Sequence, residues 1–491
     1  MNSLLRRSIS FGKSRRGGFL ALALGVLATL IWVQVQGRTT NYTGGPICGI
    51  ENHLSSIHPK TGIELRALLS QPMVVHGGDG TVYLDLTVLT PKTERIQQAP
   101  TDTIVVLDRS GSMGDDNKWR YATQAVYSLL DGLTPSDRIA LVTFDTHALI
   151  NPSLVQADGK STGRIRNVIR SLRPGASTNL GDALLLAERI ASTSAATERR
   201  SRILLLSDGH ANTGIVDPAE LAVIGKRIAD RGNVLSTIGM GLGFNETLMA
   251  SLADHGMGSF NYLEDLESLG TILAQELSDS RQVLAEGSEL RIHLPAGVEL
   301  LDVAGLPFFL EGRTAVIRTG QIFQNSTKRF TTTLRVGSHE LAEYAINRID
   351  LNYRVDGSFY QQGIRSDELK IACVPQDRQE EVVAAVDKDV FQDAWIRNNL
   401  GAVMRSVGDF VRTGRESEAK ELMQSYKAKL EEADALVPGL KKQADEELRK
   451  LEELIDDAFR GSDQSTKQNR AAKALLEAGQ ELQREVNRNV Q

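Results

Sequence analysis

The 491-residue chain lacks several features on which common active and binding sites depend. Its only cysteines are Cys48 and Cys373, so it offers neither a disulfide scaffold nor a thiolate metal site. No His-Glu-x-x-His zinc motif occurs. The net charge is −6, whereas nucleic-acid binding requires a clustered positive surface. These absences argue against a zinc enzyme and a nucleic-acid-binding protein.

The two cysteines leave two interpretations open. In an exported protein Cys48 and Cys373 could form a disulfide. The alternation of Leu369, Ile371 and Cys373 fits equally well with Cys373 as a small apolar residue on a buried strand face. The sequence supplies no distance between the two sulfur atoms, so it does not decide between them.

Long hydrophobic runs are also scarce, and the one from Phe19 to Val33 follows a basic segment. This order predicts a cytoplasmic basic segment at 1–16 and a transmembrane anchor or signal segment at 17–36. Because the positive charges precede the apolar run, the amino terminus is expected in the cytoplasm and the domains outside it, periplasmic or at the cell surface. Cleavage of the segment would instead give a secreted protein. The basic residues are Arg6, Arg7, Lys13, Arg15 and Arg16.

Two patterns of apolar residues divide the rest of the chain. Residues 37–61 are rich in Gly, Thr, Asn and Ser and are predicted to be a linker. Short alternating stretches then occur at 62–99 and again at 284–375, which is typical of strands with one buried face. One such half-buried strand has Val82, Leu84, Leu86 and Val88 on its apolar side. We expect the two parts to form one β-sandwich, with the intervening domain inserted in a loop of it.

The intervening residues 100–282 alternate continuous apolar runs with helical stretches. Such runs are typical of strands that are buried on both faces of a parallel sheet. Strands that alternate with helices imply crossover connections, so this part is predicted to be a doubly wound, mostly parallel α/β domain. The apolar runs are 104–107, 139–142, 203–206 and 234–238, and the helical stretches are 121–133, 165–172, 180–194 and 218–231.

The last part of the chain, residues 376–491, is charged and nearly free of glycine and proline. Apolar residues recur at helical spacing in three stripes, and Pro438-Gly439 and Gly461-Ser462 interrupt them. We expect a small helical bundle that packs on itself or on the sandwich. A long coiled coil is the less favoured interpretation, because no heptad run lasts three or four repeats.

Two strand ends and one loop of the α/β domain carry polar residues that are able to bind a metal ion. The first strand ends in Asp108-Arg109-Ser110-Gly111-Ser112, a loop before a helix carries Thr178, and a third strand ends in Ser207-Asp208. An open parallel sheet places its ligands at the carboxyl edge of the strands, so Asp108, Ser110, Ser112, Thr178 and Asp208 are expected to meet there.

The chemistry of this set is that of a hard cation. Two carboxylates with three hydroxyls, and no cysteine or histidine ligand, suit Mg²⁺, with Mn²⁺ or Ca²⁺ as alternatives, and disfavour zinc. Two negative charges around a dication leave the site close to neutral. It is then able to accept a carboxylate from outside at modest electrostatic cost.

The pattern Asp108-x-Ser110-x-Ser112, followed by Thr178 and Asp208, resembles the metal-ion-dependent adhesion site of von Willebrand factor type A domains. The resemblance covers about residues 100–282. The flanking strands and the amino-terminal segment are similar to bacterial membrane-anchored members, to inter-alpha-trypsin-inhibitor heavy chains and to calcium-activated chloride-channel-like proteins. The resemblance implies protein binding through the metal, with an Asp or Glu of the partner as the final ligand.

The functional hypothesis is therefore a non-enzymatic, metal-dependent adhesion or assembly module outside the cytoplasmic membrane. Its partner is an unidentified protein that offers a carboxylate, and its membrane contact is the amino-terminal segment; nucleic acid is not expected. The alternatives are a channel-associated or ATPase-associated adaptor and, with less support, a metal-dependent hydrolase, since no base or nucleophile accompanies the ligands.

Overall fold

The computed structural model describes residues 53–91, 100–195, 201–208, 211–241, 244–263, 268–304, 306–483 and 486–488. The strands are β1 (His53–Ile57), β2 (Glu64–Leu69), β3 (Met73–Val75), β4 (Thr81–Leu89), β5 (Asp102–Asp108), β6 (Arg138–Phe144), β7 (Ala148–Ile150), β8 (Val155–Gln156), β9 (Ser201–Ser207), β10 (Val234–Met240), β11 (Met257–Leu263), β12 (Val283–His293), β13 (Val298–Val303), β14 (Phe308–Glu311), β15 (Thr314–Phe323), β16 (Ser326–Val336), β17 (Glu343–Ala345), β18 (Arg348–Val355), β19 (Ser358–Arg365), β20 (Lys370–Val374) and β21 (Val486–Arg488). The helices are α1 (Lys118–Gly132), α2 (Gly159–Ser171), α3 (Leu180–Ala195), α4 (Pro218–Asp230), α5 (Glu246–His255), α6 (Leu269–Arg281), α7 (Gln379–Ala384), α8 (Lys388–Arg412), α9 (Glu416–Leu436), α10 (Leu440–Ala458) and α11 (Gln464–Gln483).

The central domain is built on a sheet with the strand order β11-β10-β9-β5-β6-β7. Strands β11, β10, β9, β5 and β6 are parallel, while β7 and β8 run antiparallel to β6. The apolar residues of the inner strands point alternately into two cores, one shared with α1, α2 and α6 and the other with α3, α4 and α5. Because helices cover both faces of the sheet, the inner strands are buried on both sides and their sequences are continuous apolar runs. The predicted doubly wound α/β fold is confirmed.

Local sequence sets where the helices of this domain begin. Helix α4 starts with Pro218, and the Asp217 carboxylate before it accepts hydrogen bonds from the backbone N–H groups of Ala219 and Glu220. The Asp158 carboxylate caps α2 in the same way through the N–H of Ser161, at 2.7 Å. Both carboxylates satisfy backbone donors that have no partner inside the helix.

The β-sandwich is assembled from strands on both sides of the central domain. One sheet has the order β1-β2-β4-β16-β13, with β21 beside β16, and the other has the order β14-β15-β12-β18-β19. Strand β4, before the insertion, pairs antiparallel with β16, after it, so that Leu86 lies opposite Phe330. One apolar core joins the two sheets. The predicted insertion of the α/β domain into a sandwich is therefore present, and a small sheet of order β17-β20-β3 adjoins it.

The carboxyl-terminal helices form their own apolar core and also cover the sandwich. Tyr83 of β4 belongs to the core of these helices, and its ring lies 5.7 Å from that of Phe391 on α8. The predicted exposed side of β4 is therefore buried, with Tyr83 2% and Asp85 1% exposed. The alternation correctly marked one face of β4, but the other face is covered by a helix more than 300 residues away in the sequence.

The structure differs from the sequence-based predictions at both ends of the described chain. The predicted linker 37–61 contains β1, whose polar sequence His53–Ile57 carries no apolar alternation but pairs with β2 at the sheet edge. The predicted helical region 376–491 also contains a strand, β21, in which Val486 lies opposite Lys328 of β16.

No helix within the described ranges is both long and apolar enough to cross a lipid bilayer. Even the 25-residue α8 carries charged side chains along its length. This finding contradicts the predicted single-pass membrane placement. The segments 1–16 and 17–36 on which that prediction was based lie outside the described residues.

Cys373 is buried on β20 in the sandwich core and forms no disulfide with any described residue. Burial raises the pKa of this thiol, which keeps it protonated and unreactive. Cys48 lies outside the described residues, so the predicted alternative of a disulfide stays a prediction.

Candidate metal centre

The centre lies where β5 and β9 end side by side. These strands are parallel and in register, with Leu107 opposite Leu206, so the residues that follow emerge at the same edge of the sheet. The Asp108 carboxylate is fully buried and is held through both oxygens. Its Oδ1 accepts a hydrogen bond from the Ser110 N–H at 2.7 Å, and its Oδ2 accepts one from the Ser207 hydroxyl at 2.6 Å.

A tight turn after β5 carries the two predicted serine ligands back towards the sheet. The Ser110 and Ser112 hydroxyl oxygens are 3.3 Å apart. The Ser112 hydroxyl donates to Oδ1 of Asp208 at 2.9 Å, which joins the turn to the end of β9. The structure thus brings Asp108, Ser110, Ser112 and Asp208 together in one hydrogen-bonded group.

The loop that carries Thr178 lies against the same turn. The N–H of Gly111 donates to the Ala176 carbonyl at 3.1 Å, and the N–H of Gly175 donates to the Arg109 carbonyl at 2.5 Å. The hydrogen bonds described for Thr178 are made by its backbone. They join it to Asn212, whose side-chain Oδ1 accepts from the Thr178 N–H at 2.8 Å. Thr178 is therefore held on the adjoining loop, 3% exposed, and not inside the hydrogen-bonded group of four.

The buried charges of this edge include a cation that the sequence analysis missed. Lys118, the first residue of α1, donates from Nζ to Oδ2 of Asp208 at 2.6 Å and to the Ser112 carbonyl at 3.3 Å. Burial raises the pKa of Asp108 to about 6, against the lowering effect of its hydrogen bonds from Ser207 and Ser110. The negative charge of Asp208 adds to this increase.

Only one of the five predicted ligands is open to solvent. Ser112 is exposed, whereas Asp108, Ser110, Thr178 and Asp208 are buried. Among the five predicted ligands, Ser112 is therefore the one that an incoming group meets at the surface.

Three further residues shape the centre without having been predicted: Ser207, Asn212 and Lys118. Ser207 lies directly before the predicted ligand Asp208 at a strand end, so the sequence already placed it next to the centre. Lys118 follows the turn at the start of an amphipathic helix, where a lysine ordinarily faces water, and no local pattern marks it as buried. His210, which follows Asp208 by two positions in the sequence, lies outside the described residues.

The donor set fits a hard dication and does not fit zinc. Its side chains are two carboxylates and three hydroxyls, which are the oxygen ligands that Mg²⁺ and Ca²⁺ prefer. No group of three or more His, Cys, Asp or Glu side chains suited to a metal occurs in the part of the chain that the structure describes. A metal at this edge would therefore depend on hydroxyl ligands.

Comparison with known proteins finds a match for part of the central domain. Residues 103–210 match the family model described as von Willebrand factor type A domain. The chain is 31% identical over 210 residues to the protein YfbK of Escherichia coli, covering 42% of this chain and 36% of that protein. It is 29% identical over 199 residues to human inter-alpha-trypsin inhibitor heavy chain H4, covering 39% of this chain and 21% of the heavy chain. The predicted von Willebrand factor type A domain is thus confirmed.

The fold extends beyond that domain. A solved structure described as von Willebrand factor type A from Catenulispora acidiphila superposes with a TM-score of 0.66 at 16% identity, covering 84% of this chain and 96% of that one. The inserted domain and a large part of its surroundings therefore recur together. The chain spans about a third of the E. coli protein and a fifth of the human heavy chain, so the likeness to those relatives concerns this portion of them.

Proposed function

We propose that this chain is a protein-binding module that holds a divalent cation and grips a carboxylate of its partner. The cation is Mg²⁺, with Mn²⁺ or Ca²⁺ as alternatives, and the ligands are Asp108, Ser110, Ser112, Thr178 and Asp208. The single observation that carries this proposal is the hydrogen-bonded group of Asp108, Ser110, Ser112 and Asp208 at one sheet edge.

The residues of the centre have separate tasks in this proposal. The bound cation supplies a Lewis-acidic position that a partner Asp or Glu completes. Ser207 and the Ser110 N–H hold the Asp108 carboxylate, so that it needs little rearrangement to act as a ligand. The exposed Ser112 marks the side of approach. The Gly175 and Gly111 backbone bonds keep the Thr178 loop beside the turn.

Binding without catalysis fits the neighbouring side chains best. A hydrolase needs a base or nucleophile beside the metal. Two described side chains beside the centre are already engaged in ion pairs, since Lys118 pairs with Asp208, and Arg109 pairs with Asp145 at 2.7 Å. One relative is named as the heavy chain of an inhibitor, which also favours a binding role for this chain.

Affinity capture tests the proposal. The immobilised full chain is incubated with extract in Mg²⁺ or in EDTA, and the captured proteins are compared. We expect a set of proteins that is retained in Mg²⁺, released by EDTA and lost with Ser112→Ala and Asp108→Ala. Ser112 is exposed, so its replacement leaves the packing of the buried edge in place.

A matched control and a direct measurement complete this test. Asp367→Ala removes the same charge as Asp108→Ala from an exposed position in the sandwich, so it should capture the same proteins as wild type. Calorimetric titration of Mg²⁺ into the unmodified chain should show one site that Asp108→Ala abolishes. Equal capture in EDTA and in both site variants, or no Mg²⁺ site in the unmodified chain, would remove the basis of the proposal.

A further inference from the structure

Lys118 is a buried cation in direct contact with a proposed metal ligand. Its side chain is 9% exposed, and its Nζ lies 2.6 Å from Oδ2 of Asp208. The aliphatic part of the side chain is packed against Gly241, at the end of β10. A Cβ on that glycine would lie only 2.9 Å from Cε of Lys118. The lysine is therefore fixed in place by its ion pair at one end and by close packing along its length.

The buried charges in direct contact with the five ligands do not sum to the −2 that the ligands alone imply. Asp108 and Asp208 contribute two negative charges, and Lys118 contributes one positive charge, which gives −1. Arg109 and Asp145 cancel one another in their own ion pair. The acidic residues of the turn, Asp115 and Asp116, are exposed, so water and salt screen them.

We propose that Lys118 makes cation binding and carboxylate binding depend on one another. This inference rests on the proposed function. With a dication bound, the buried edge carries +1, which is unfavourable in a poorly solvated position. With a partner carboxylate added, the sum returns to zero. Lys118 therefore weakens the complex with the cation alone and favours the complex that holds both.

A purely orienting role for Lys118 makes the opposite prediction. If the lysine served only to hold Asp208 in place, its removal would loosen a ligand and weaken cation binding under all conditions. If its charge matters, removal strengthens binding of the cation alone and abolishes the benefit of the carboxylate. The sign of the change therefore distinguishes the two roles.

The experiment is a calorimetric titration of Mg²⁺ into the chelator-treated full chain, in sodium chloride and in sodium acetate of equal ionic strength. Acetate stands in for the partner carboxylate. Its weak binding to free Mg²⁺ would lower the apparent affinity, so a gain in acetate cannot arise from that source. We expect wild type to bind Mg²⁺ about five- to tenfold more tightly in acetate, a modest coupling between two ligands.

Variants at Lys118 separate charge from shape. For Lys118→Met we expect Mg²⁺ binding in chloride to tighten about tenfold and the effect of acetate to disappear. Lys118→Arg retains the charge and should retain the effect of acetate. Lys160→Met removes the same charge from an exposed position of the same domain and should behave as wild type.

Each outcome bears on one of the two proposals. A wild-type chain that binds no Mg²⁺ in either salt overturns the proposed function itself. A wild-type chain that binds Mg²⁺ equally in both salts overturns the coupling while leaving the metal centre in place. This conclusion can be drawn from wild type alone, without a variant. Weaker Mg²⁺ binding by a folded Lys118→Met chain, checked by circular dichroism, also overturns the coupling.

Discussion

At the scale of single residues, the candidate centre consists of side chains that hold one another through hydrogen bonds. Asp108 is fixed by Ser207 and by its own turn, and Ser112 bridges to Asp208. Such preorganisation lowers the cost of ordering the site on binding. Small residues are needed where the two loops approach each other, and they are as important as the ligands.

A substitution at Gly175 is the most direct test of whether the two loops must lie this close together. A Cβ at this position would lie 2.2 Å from Oδ2 of Asp145, so Gly175→Ala must displace either the Asp145 carboxylate or the loop that carries Thr178. We expect Mg²⁺ affinity in calorimetry to fall about tenfold or more, because misplacing one ligand is costly at a small, rigid cation.

Gly159→Ala is the matched control for this substitution. Gly159 begins α2, and a Cβ there would meet nothing within 4 Å. The control should bind Mg²⁺ as wild type does and should melt at the same temperature or slightly higher, since alanine favours the helix. Unchanged affinity in Gly175→Ala would mean that the Thr178 loop does not contribute to the site.

Asp208 and Lys118 stabilise the fold as a pair. Asp208→Asn leaves the Lys118 ammonium buried without its counter-charge, and breaking a buried pair from one side typically costs about 3–5 kcal/mol. We expect a lower melting temperature in calorimetric scans recorded in EDTA. The double variant Asp208→Asn with Lys118→Met should recover most of the loss. A single variant as stable as wild type would contradict the buried pairing.

At the scale of elements, strand β4 depends on partners from three parts of the chain. Its pairing with β16 closes the sandwich across the inserted domain. Asp85, on its other face, lies 2.6 Å from Nε of Arg329 on β16, and Arg329 also reaches Asp393 on α8 at 2.7 Å. Arg329 thereby ties β4, β16 and α8 together.

Arg329→Met should destabilise this junction in a manner that depends on pH. It leaves the Asp85 carboxylate buried without a cation, and we expect a loss of about 2–3 kcal/mol at neutral pH, reduced because Arg329 itself is about one-third exposed. Burial already raises the pKa of Asp85 above its usual value. A carboxyl group whose pKa is higher in the folded than in the unfolded state stabilises the fold at low pH. This stabilisation is lost as the pH rises through the pKa of the folded state. The destabilisation measured by urea unfolding should therefore shrink as the pH falls.

A double variant provides the control for the Asp85 interpretation. In Arg329→Met with Asp85→Leu no buried charge remains on this face of β4, so stability should return towards wild type and lose its dependence on pH. Asp393 retains its ion pair with Arg397 at 2.8 Å in both variants. A pH-independent loss in the single variant would show that packing of the arginine, and not its charge, is responsible.

At the scale of the whole molecule, the carboxyl-terminal helices serve as the second cover of the sandwich and also reach the central domain. Lys473 of α11 lies 3.9 Å above the Phe244 ring, and its Nζ donates to the Gly241 carbonyl at 3.3 Å. Gly241 is the residue that packs against Lys118. The helical part thus contacts the loop next to the candidate centre.

Truncation after Val374 tests the covering role. Removing the helices exposes Tyr83 and Asp85 on β4 and removes β21 from the edge of β16. An exposed apolar sheet face favours aggregation, so we expect oligomers in size-exclusion chromatography and a lower melting temperature. Tyr83→Thr in the truncated chain should restore part of the monomer. A monomeric truncated chain with unchanged melting would contradict this role.

The sequence alone predicted the fold and the candidate ligands because both have local signatures. Continuous apolar runs mark strands with helices on both faces, and Asp108 and Asp208 follow such runs directly. Parallel strands end at the same edge of a sheet, so the sequence alone predicted that Asp108 and Asp208 converge there. The von Willebrand factor type A resemblance was visible for the same reason.

Only the tertiary structure decided which polar residues are buried and what faces them. Lys118, Asp85 and Tyr83 stand at positions whose local pattern predicts exposure, and each is covered by an element distant in sequence. The pairing of β1 and β21 at sheet edges likewise depends on a partner strand and not on their own residues. Local propensity limits what a segment can become, whereas burial and charge pairing depend on contacts between segments that are distant in the sequence, which no local pattern reveals.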